Sequence, residues 1–333
     1  MRIESSAPTR IDLAGGTLDI WPLYLFHDHA QTLNAALTLR ARCSIRPRTD
    51  ARIVVVSDDT GTRAEAAHWS DLRQDVELRL IGQVLHYFQV SGLELHTRSE
   101  SPLGAGIAGS SALNIAVCGA LATWTGARLS DDELMLVAQN VEAQAIDVPT
   151  GVQDFRPAVY GGVSAVELGV GAITRVKLPV AEADLESRVV VGYTGASRNS
   201  GINNWEVTKR HIDGDPVVRN AFARIRDIAV AMREALERQD WAEVGRQIGE
   251  EWEARKTLAP GVTTAAIDAM LCEARRAGAM SGKVCGAGGG GCFFCLADPD
   301  RVPAVRDALR ASGAHVLDCG IDRDGLLIET HES

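Results

Sequence analysis

The chain has no apolar run of about 18 residues free of glycine or polar interruptions, so no transmembrane helix is expected. Its opening, Met1-Arg2-Ile3-Glu4, carries no apolar signal-peptide region, and a cytoplasmic protein is expected. It also has no block of like charge. The net charge of −10 is spread along the chain, which argues against a nucleic-acid surface or an anionic membrane partner. Any anion site must therefore be locally positive against an acidic background. The eight histidines show no metal spacing; His27 and His29 would share a strand face, lining a pocket or facing solvent. Seven cysteines is an odd number, and Cys292 and Cys295 would point to opposite faces of one strand, so buried free thiols are expected rather than a zinc or redox site. Internal repeats, low-complexity tracts and long linkers are absent. A chain of 333 residues is long enough for two domains.

Three glycine-bearing segments stand against these absences. Pro102-Leu103-Gly104-Ala105-Gly106-Ile107-Ala108-Gly109-Ser110-Ser111-Ala112 runs into an apolar helical stretch, Leu113 to Trp124. Glycines let backbone N–H groups turn toward an anion, and the helix start adds a positive dipole end. Ser110 and Ser111 stand where a hydroxyl can cap the helix or reach a metal. The segment lacks the Gly-Lys-Ser/Thr ending of the P-loop. Near the N-terminus, Ala7 to Asp19 reads as an apolar strand that carries Arg10 and breaks at Gly15-Gly16. Near the C-terminus, five of the six residues from Gly286 to Gly291 are glycine, followed by an apolar strand. Such a run loses much entropy on folding, so something must approach its backbone closely.

The rest of the pattern is α+β. Arg52–Ser57, Arg188–Tyr193 and Gly325–Thr330 read as strands. Leu78, Ile81, Leu85 and Phe88 repeat at helical spacing. Ser130 and Glu133 form a capping box opening a helix through Gln144. Asp215-Pro216 is an N-cap and first-turn pair, followed by one apolar face from Val218 to Leu236. A domain boundary is expected within Val170–Glu186.

Taken in order, the three segments resemble the three motifs of the GHMP kinases. Arg10-Ile11-Asp12-Leu13-Ala14-Gly15-Gly16 is similar to the fucokinase opening. Thr150-Gly151-Val152-Gln153-Asp154 with Tyr160-Gly161-Gly162 is similar to the heptose 7-phosphate kinase segment. Tyr193-Thr194-Gly195 with Arg198 and Ser200, and Trp252 with Lys256, resemble the same branch. Three places depart from the pattern: Ile107-Ala108 stands for the usual Leu-Gly, Phe155-Arg156 for Gln-Tyr, and Asp12 for serine. The resemblance implies a ribosomal protein S5 domain 2-like N-terminal domain, residues 1–180, which binds ATP, and a ferredoxin-like C-terminal domain, residues 181–333.

The resemblance also assigns roles. Pro102, Gly104, Ala105, Gly106, Ile107, Ala108, Gly109, Ser110 and Ser111 would cradle the ATP phosphates, and Ser111 and Glu142 would hold Mg2+, which takes hard oxygen ligands. Asp154 is the implied catalytic base and Arg10 the cation near the reacting oxygens. From the residues alone, the alternatives are a turn cap for Asp154, a structural salt bridge for Arg10 and a solvated helix charge for Glu142. Asp19, Gly16, Thr17, Tyr193, Arg198, Gly288 and Gly289 are the implied substrate contacts. A small-molecule sugar or sugar phosphate is the expected acceptor, at the anomeric hydroxyl, with the protein a monomer or homodimer. Alternatives on the same fold are a mevalonate diphosphate-type decarboxylase, an isoprenoid or amino-acid alcohol kinase, and a non-catalytic sugar sensor.

Overall fold

The computed structural model describes residues 1–197 and 200–332. Twelve strands appear among them: β1 (Arg2–Ala14), β2 (Gln31–Pro47), β3 (Ile53–Ser57), β4 (Thr62–Ala66), β5 (Leu93–Ser99), β6 (Val163–Leu168), β7 (Ile173–Lys177), β8 (Val189–Tyr193), β9 (Ala279–Val284), β10 (Cys292–Ala297), β11 (His315–Val316) and β12 (Leu327–His331). The larger sheet runs β12-β1-β2-β5-β3-β4, with β6 and β7 added beside the first half of β2. The smaller sheet runs β11-β8-β10-β9. Pairing is antiparallel except between β3 and β5, which is the α+β arrangement expected from the sequence.

The helices are α1 (Arg79–Phe88), α2 (Gly109–Thr125), α3 (Asp131–Ile146), α4 (Phe155–Tyr160), α5 (Glu182–Glu186), α6 (Ser200–Ile212), α7 (Pro216–Glu237), α8 (Trp241–Lys256), α9 (Ala265–Arg276) and α10 (Val302–Ala311). Their local chemistry is as the sequence predicts. Ser130 and Glu133 form the reciprocal capping box of α3. Asp215 accepts from the Val217 and Val218 N–H groups, with Pro216 following it. The helix α2 opens at Gly109 directly from the glycine loop.

One core lies under α1, α2 and α3 and includes Ile81, Leu85, Ile115, Leu121 and Leu134. Another joins the two halves of the chain: Ile11, Leu13 and Leu33 of the larger sheet pack with Val191 and Phe294 of the smaller one and with Met232 and Leu236 of α7. The second half of β1 is therefore buried on both faces. That is why Arg10 and Asp12 end up inside the molecule.

The structure adds detail to the domain layout and corrects one expectation. The stretch Val170–Glu186 is not a bare connection, because it holds β7, still part of the larger sheet, and α5. Near the end of the chain, β12 crosses back and pairs with β1, Ile3 opposite Thr330. The edge of the larger sheet gains a strand there that the intervening chain cannot supply. His27 and His29 do not share a strand either, since a short 3-10 helix, Leu23–Phe26, precedes them. His29 is exposed, while His27 Nε2 lies 3.0 Å from His211 Nε2 of α6.

Candidate active site

A cleft of about 340 Å3 opens where the three glycine segments meet. Its wall includes Arg10, Thr17 and Asp19 from the first segment, Pro102–Ser111 except Ile107 from the second, and Gly286 and Ala287 from the third. Glu142, Gln153 and Asp154 complete it. Gly104, Gly106 and Ala108 all have positive φ, at 65°, 75° and 60°. These left-handed turns open the loop before α2 and direct the helix start at the cleft. Ile107 points the other way, fully buried in the shared core, and its carbonyl accepts from the Arg10 N–H at 3.0 Å. It anchors the loop from behind rather than facing the cleft.

Arg10 donates through both Nε and Nη2 to Asp154 Oδ1, at 2.9 and 2.6 Å, and through Nη1 to the Gly106 carbonyl at 3.1 Å. Burial alone would lower its pKa, but Asp154 and Asp12 outweigh burial and raise it, so the guanidinium stays charged. Asp154 makes no capping bond to α4, which follows it. Both Arg10 bonds to Asp154 go to one oxygen, and Asp154 itself lines the cleft.

Glu142 on α3 accepts from Ser110 Oγ at 2.6 Å and Ser111 Oγ at 2.8 Å. It is buried without a bonded cation, and burial pushes its carboxyl up to about 7 despite the two hydroxyls. A carboxylate and two hydroxyls are hard oxygen donors, and their residual need for positive charge fits Mg2+. Asp19 is similar. Its Oδ2 accepts from the Gln153 N–H at 2.9 Å, and its Oδ1 is buried with no donor. Burial, then the charge of Asp154, pushes its carboxyl up to about 6. Gly151 must be glycine here, because the Asp19 carboxylate fills the place of its Cβ.

The glycine run near the C-terminus braces the second loop. A Cβ on Gly291 would come within 2.5 Å of the Ala105 carbonyl, which accepts from the Cys292 N–H at 2.6 Å. Gly288 and Gly289 pack against Val262 and Gly261, behind the wall rather than on it. Gly16 is also off the wall, since Arg255 and Asp12 occupy the place of its Cβ. Tyr193 ends β8 opposite Cys292, its ring 6.3 Å from that of His315, away from the cleft. Arg198 lies outside the described residues. Lys256 pairs with Glu253 and sits 5.8 Å above the Trp252 ring, on the surface of α8.

The motifs gave no sign of a buried ionic cluster behind this wall. Lys283 of β9 donates to Asp12 Oδ2 and Glu251 Oε2, both at 2.9 Å. Arg255 reaches Asp12 at 3.3 Å and Glu251 at 3.5 Å. Asp12 also accepts from the Gly286 N–H at 3.0 Å, and Arg255 donates to the Gly286 carbonyl at 2.8 Å. The start of the third loop is therefore held at both backbone groups. Burial would raise the Asp12 carboxyl, but Lys283, Arg255 and Arg10 outweigh it and hold it well below the usual carboxylate range. A signal was present outside the motif pattern: Asp12 between Ile11 and Leu13, and Lys283 within an apolar strand, are charges that cannot be buried singly.

Comparison with known proteins agrees with this geometry. Residues 78–162 match the GHMP kinases N terminal domain model, and residues 232–315 match the GHMP kinases C terminal model. The D-glycero-alpha-D-manno-heptose 7-phosphate kinase of Campylobacter jejuni is 30% identical over 97% of this chain and 98% of its own. The mevalonate kinase of Thermococcus sibiricus is 25% identical over 99% of both chains. A crystal structure of a D-glycero-D-manno-heptose 1-phosphate kinase from Bacteriodes thetaiotaomicron superposes with a TM-score of 0.80 and 26% identity, covering 99% of this chain and 100% of that one. The chain thus belongs to the GHMP kinase family, as a phosphotransferase whose acceptor group is a hydroxyl.

Proposed function

We propose that the enzyme transfers the terminal phosphoryl group of ATP to the anomeric C1 hydroxyl of a sugar or sugar phosphate of the heptose 7-phosphate or fucose type. The observation that carries this is Asp19: a buried carboxylate with a free oxygen, one side of which holds the chain next to Asp154. The free acceptor oxygen suits a hydroxyl of a sugar. Two heptose phosphate kinases among the relatives support the same reading.

The residues divide the work. Backbone N–H groups of Gly104–Ser111 and the start of α2 would hold the phosphates. Mg2+ held by Ser111 and Glu142 would neutralise phosphate charge. Leu78, Ile81 and Leu113 give the cleft an apolar lining that would suit a nucleoside. Asp154 Oδ2 would accept the proton of the attacking hydroxyl, while Arg10 fixes the carboxylate and stabilises the oxygen charge that develops. No disulfide joins the described cysteines, which supports action in a reducing compartment. No helix among the described residues is long and apolar enough to cross a membrane.

A mevalonate-type acceptor is the second reading, favoured by the archaeal relatives. Against it, Arg10 is the one cation among the described residues lining the cleft, and Asp154 already engages it. Purified protein with ATP and Mg2+ should add one phosphate to a heptose 7-phosphate or hexose in a mass-spectrometric screen, with phosphorus NMR locating the ester at C1. Turnover of mevalonate or homoserine alone would overturn the sugar reading. Asp154→Asn should cut turnover by about 10^2 to 10^4 and leave nucleotide binding nearly intact, measured by calorimetry.

A further inference from the structure

No motif role falls on Gln153, yet its environment is unusual. It precedes Asp154, lines the same cleft and is only 6% exposed. Its backbone N–H is committed to Asp19 Oδ2. Its side-chain Nε2 lies over Gly16, 3.2 Å from where a Cβ would stand. Its Oε1 is fully buried and receives no hydrogen bond. Asp19 Oδ1, on another residue lining the cleft, is in the same condition. Buried acceptors are nearly always matched, and leaving two unmatched on residues that line one cleft is unfavourable unless a ligand brings the donors.

We propose that Gln153 is a specificity-determining residue: its Oε1 and Asp19 Oδ1 are two unmatched acceptors that read hydroxyls of the substrate next to the reacting one. This rests on the sugar reading above and deepens it. A hydroxyl donates to both oxygens. A carboxylate has no proton to donate, and it would face the Asp19 charge and the negative end of the Gln153 carbonyl dipole. The pair therefore selects polyols and rejects acceptors whose carboxylate approaches Asp154. A substrate phosphate is tolerated only at the end of the molecule remote from this pair.

The test uses the full-length enzyme with MgATP and three acceptors: a D-glycero-D-manno-heptose 7-phosphate, L-fucose and mevalonate. Single-position deoxy analogues are added for each sugar that turns over. The wild type should prefer one hydroxyl-bearing acceptor over its deoxy analogue by about tenfold or more. Gln153→Met, close in shape but without the acceptor oxygen, should raise KM for that sugar by about tenfold. It should leave KM for MgATP within about twofold, and it should treat the hydroxy and deoxy acceptors alike. An unchanged sugar KM in a folded Gln153→Met enzyme overturns the role of Gln153 alone. If the variant does not fold, the wild-type deoxy series decides: equal use of every deoxy analogue overturns the proposal. Turnover of mevalonate and no sugar overturns the sugar reading, and this inference with it.

Discussion

Asp12 and Asp19 leave the same N-terminal segment, are 0% and 1% exposed, and behave in opposite ways. Asp12 is bonded to Lys283 and Arg255 and to a backbone N–H, and its carboxyl is held well below the usual range. Asp19 has one backbone donor and no bonded cation, and its carboxyl rises to about 6. Glu142 belongs with Asp19: two hydroxyls and no cation leave it near 7. Burial is the same in all three, so burial does not mark function. What differs is whether the protein supplies the counter-charge. Where it does, the carboxylate locks one loop to another; where it does not, a ligand is the proposed source of the missing partner.

The sharpest way to break this contrast is to remove the counter-charge from the first group. Lys283→Met leaves Asp12 and Glu251 buried with one cation fewer, and should cost about 3–5 kcal/mol in urea denaturation. Lys283→Met with Glu251→Gln restores the charge balance and should recover most of that. If Lys283→Met is neutral, the cluster does not hold the third loop.

Asp19 should show the reverse sign. Its carboxyl rises from 3.8 in the unfolded chain to about 6, so the unfolded state releases the proton first as pH rises. Stability is therefore lost between about pH 4 and pH 6, by about 3 kcal/mol in all. Asp19→Asn removes this titration, so its stability relative to wild type should climb by about 3 kcal/mol between pH 4 and pH 8. A pH-independent difference would mean that Asp19 is not forced to ionise against its surroundings. Glu142 gives a smaller, ligand-linked effect. Its carboxyl must be ionised to take Mg2+, so the apparent Mg2+ affinity at saturating ATP should fall about tenfold from pH 6.5 to pH 5.5. In Glu142→Gln the Mg2+ affinity should be weak and flat over that range.

The smallest effect concerns the backbone. Ala108 carries a Cβ at φ 60°, where the family pattern has glycine. Ala108→Gly should stabilise the fold by about 1 kcal/mol, read in the same denaturation assay, and the first turn of α2 should keep its place.

Much of this site is legible in the order of residues along the chain. The glycine-serine loop ahead of an apolar helix, the five glycines of Gly286–Gly291 and the Ser130–Glu133 capping box are local signals, because each follows from what a few consecutive residues can do. Tyr193, Gly16, Gly288 and Gly289 are harder. Each lies within or beside a motif, but whether a motif residue faces the cleft or the wall behind it depends on neighbours distant in sequence. For Gly16 the distant neighbour is Arg255, more than two hundred positions away.

The order of motifs along the chain was enough to determine the family and the α+β class, and to single out Arg10, Asp19, Ser111, Glu142 and Asp154, which all line the cleft, because glycine geometry and helix starts are encoded locally. Tertiary structure alone decided that β12 returns to β1, that Arg10 spends two donors on one oxygen of Asp154, and that Lys283 and Glu251 meet around Asp12. Only it left Asp19 and Gln153 with unmatched acceptor oxygens. Those facts are sums of desolvation and Coulomb terms over groups that meet only when the chain has folded, and no stretch of sequence contains both members of such a pair.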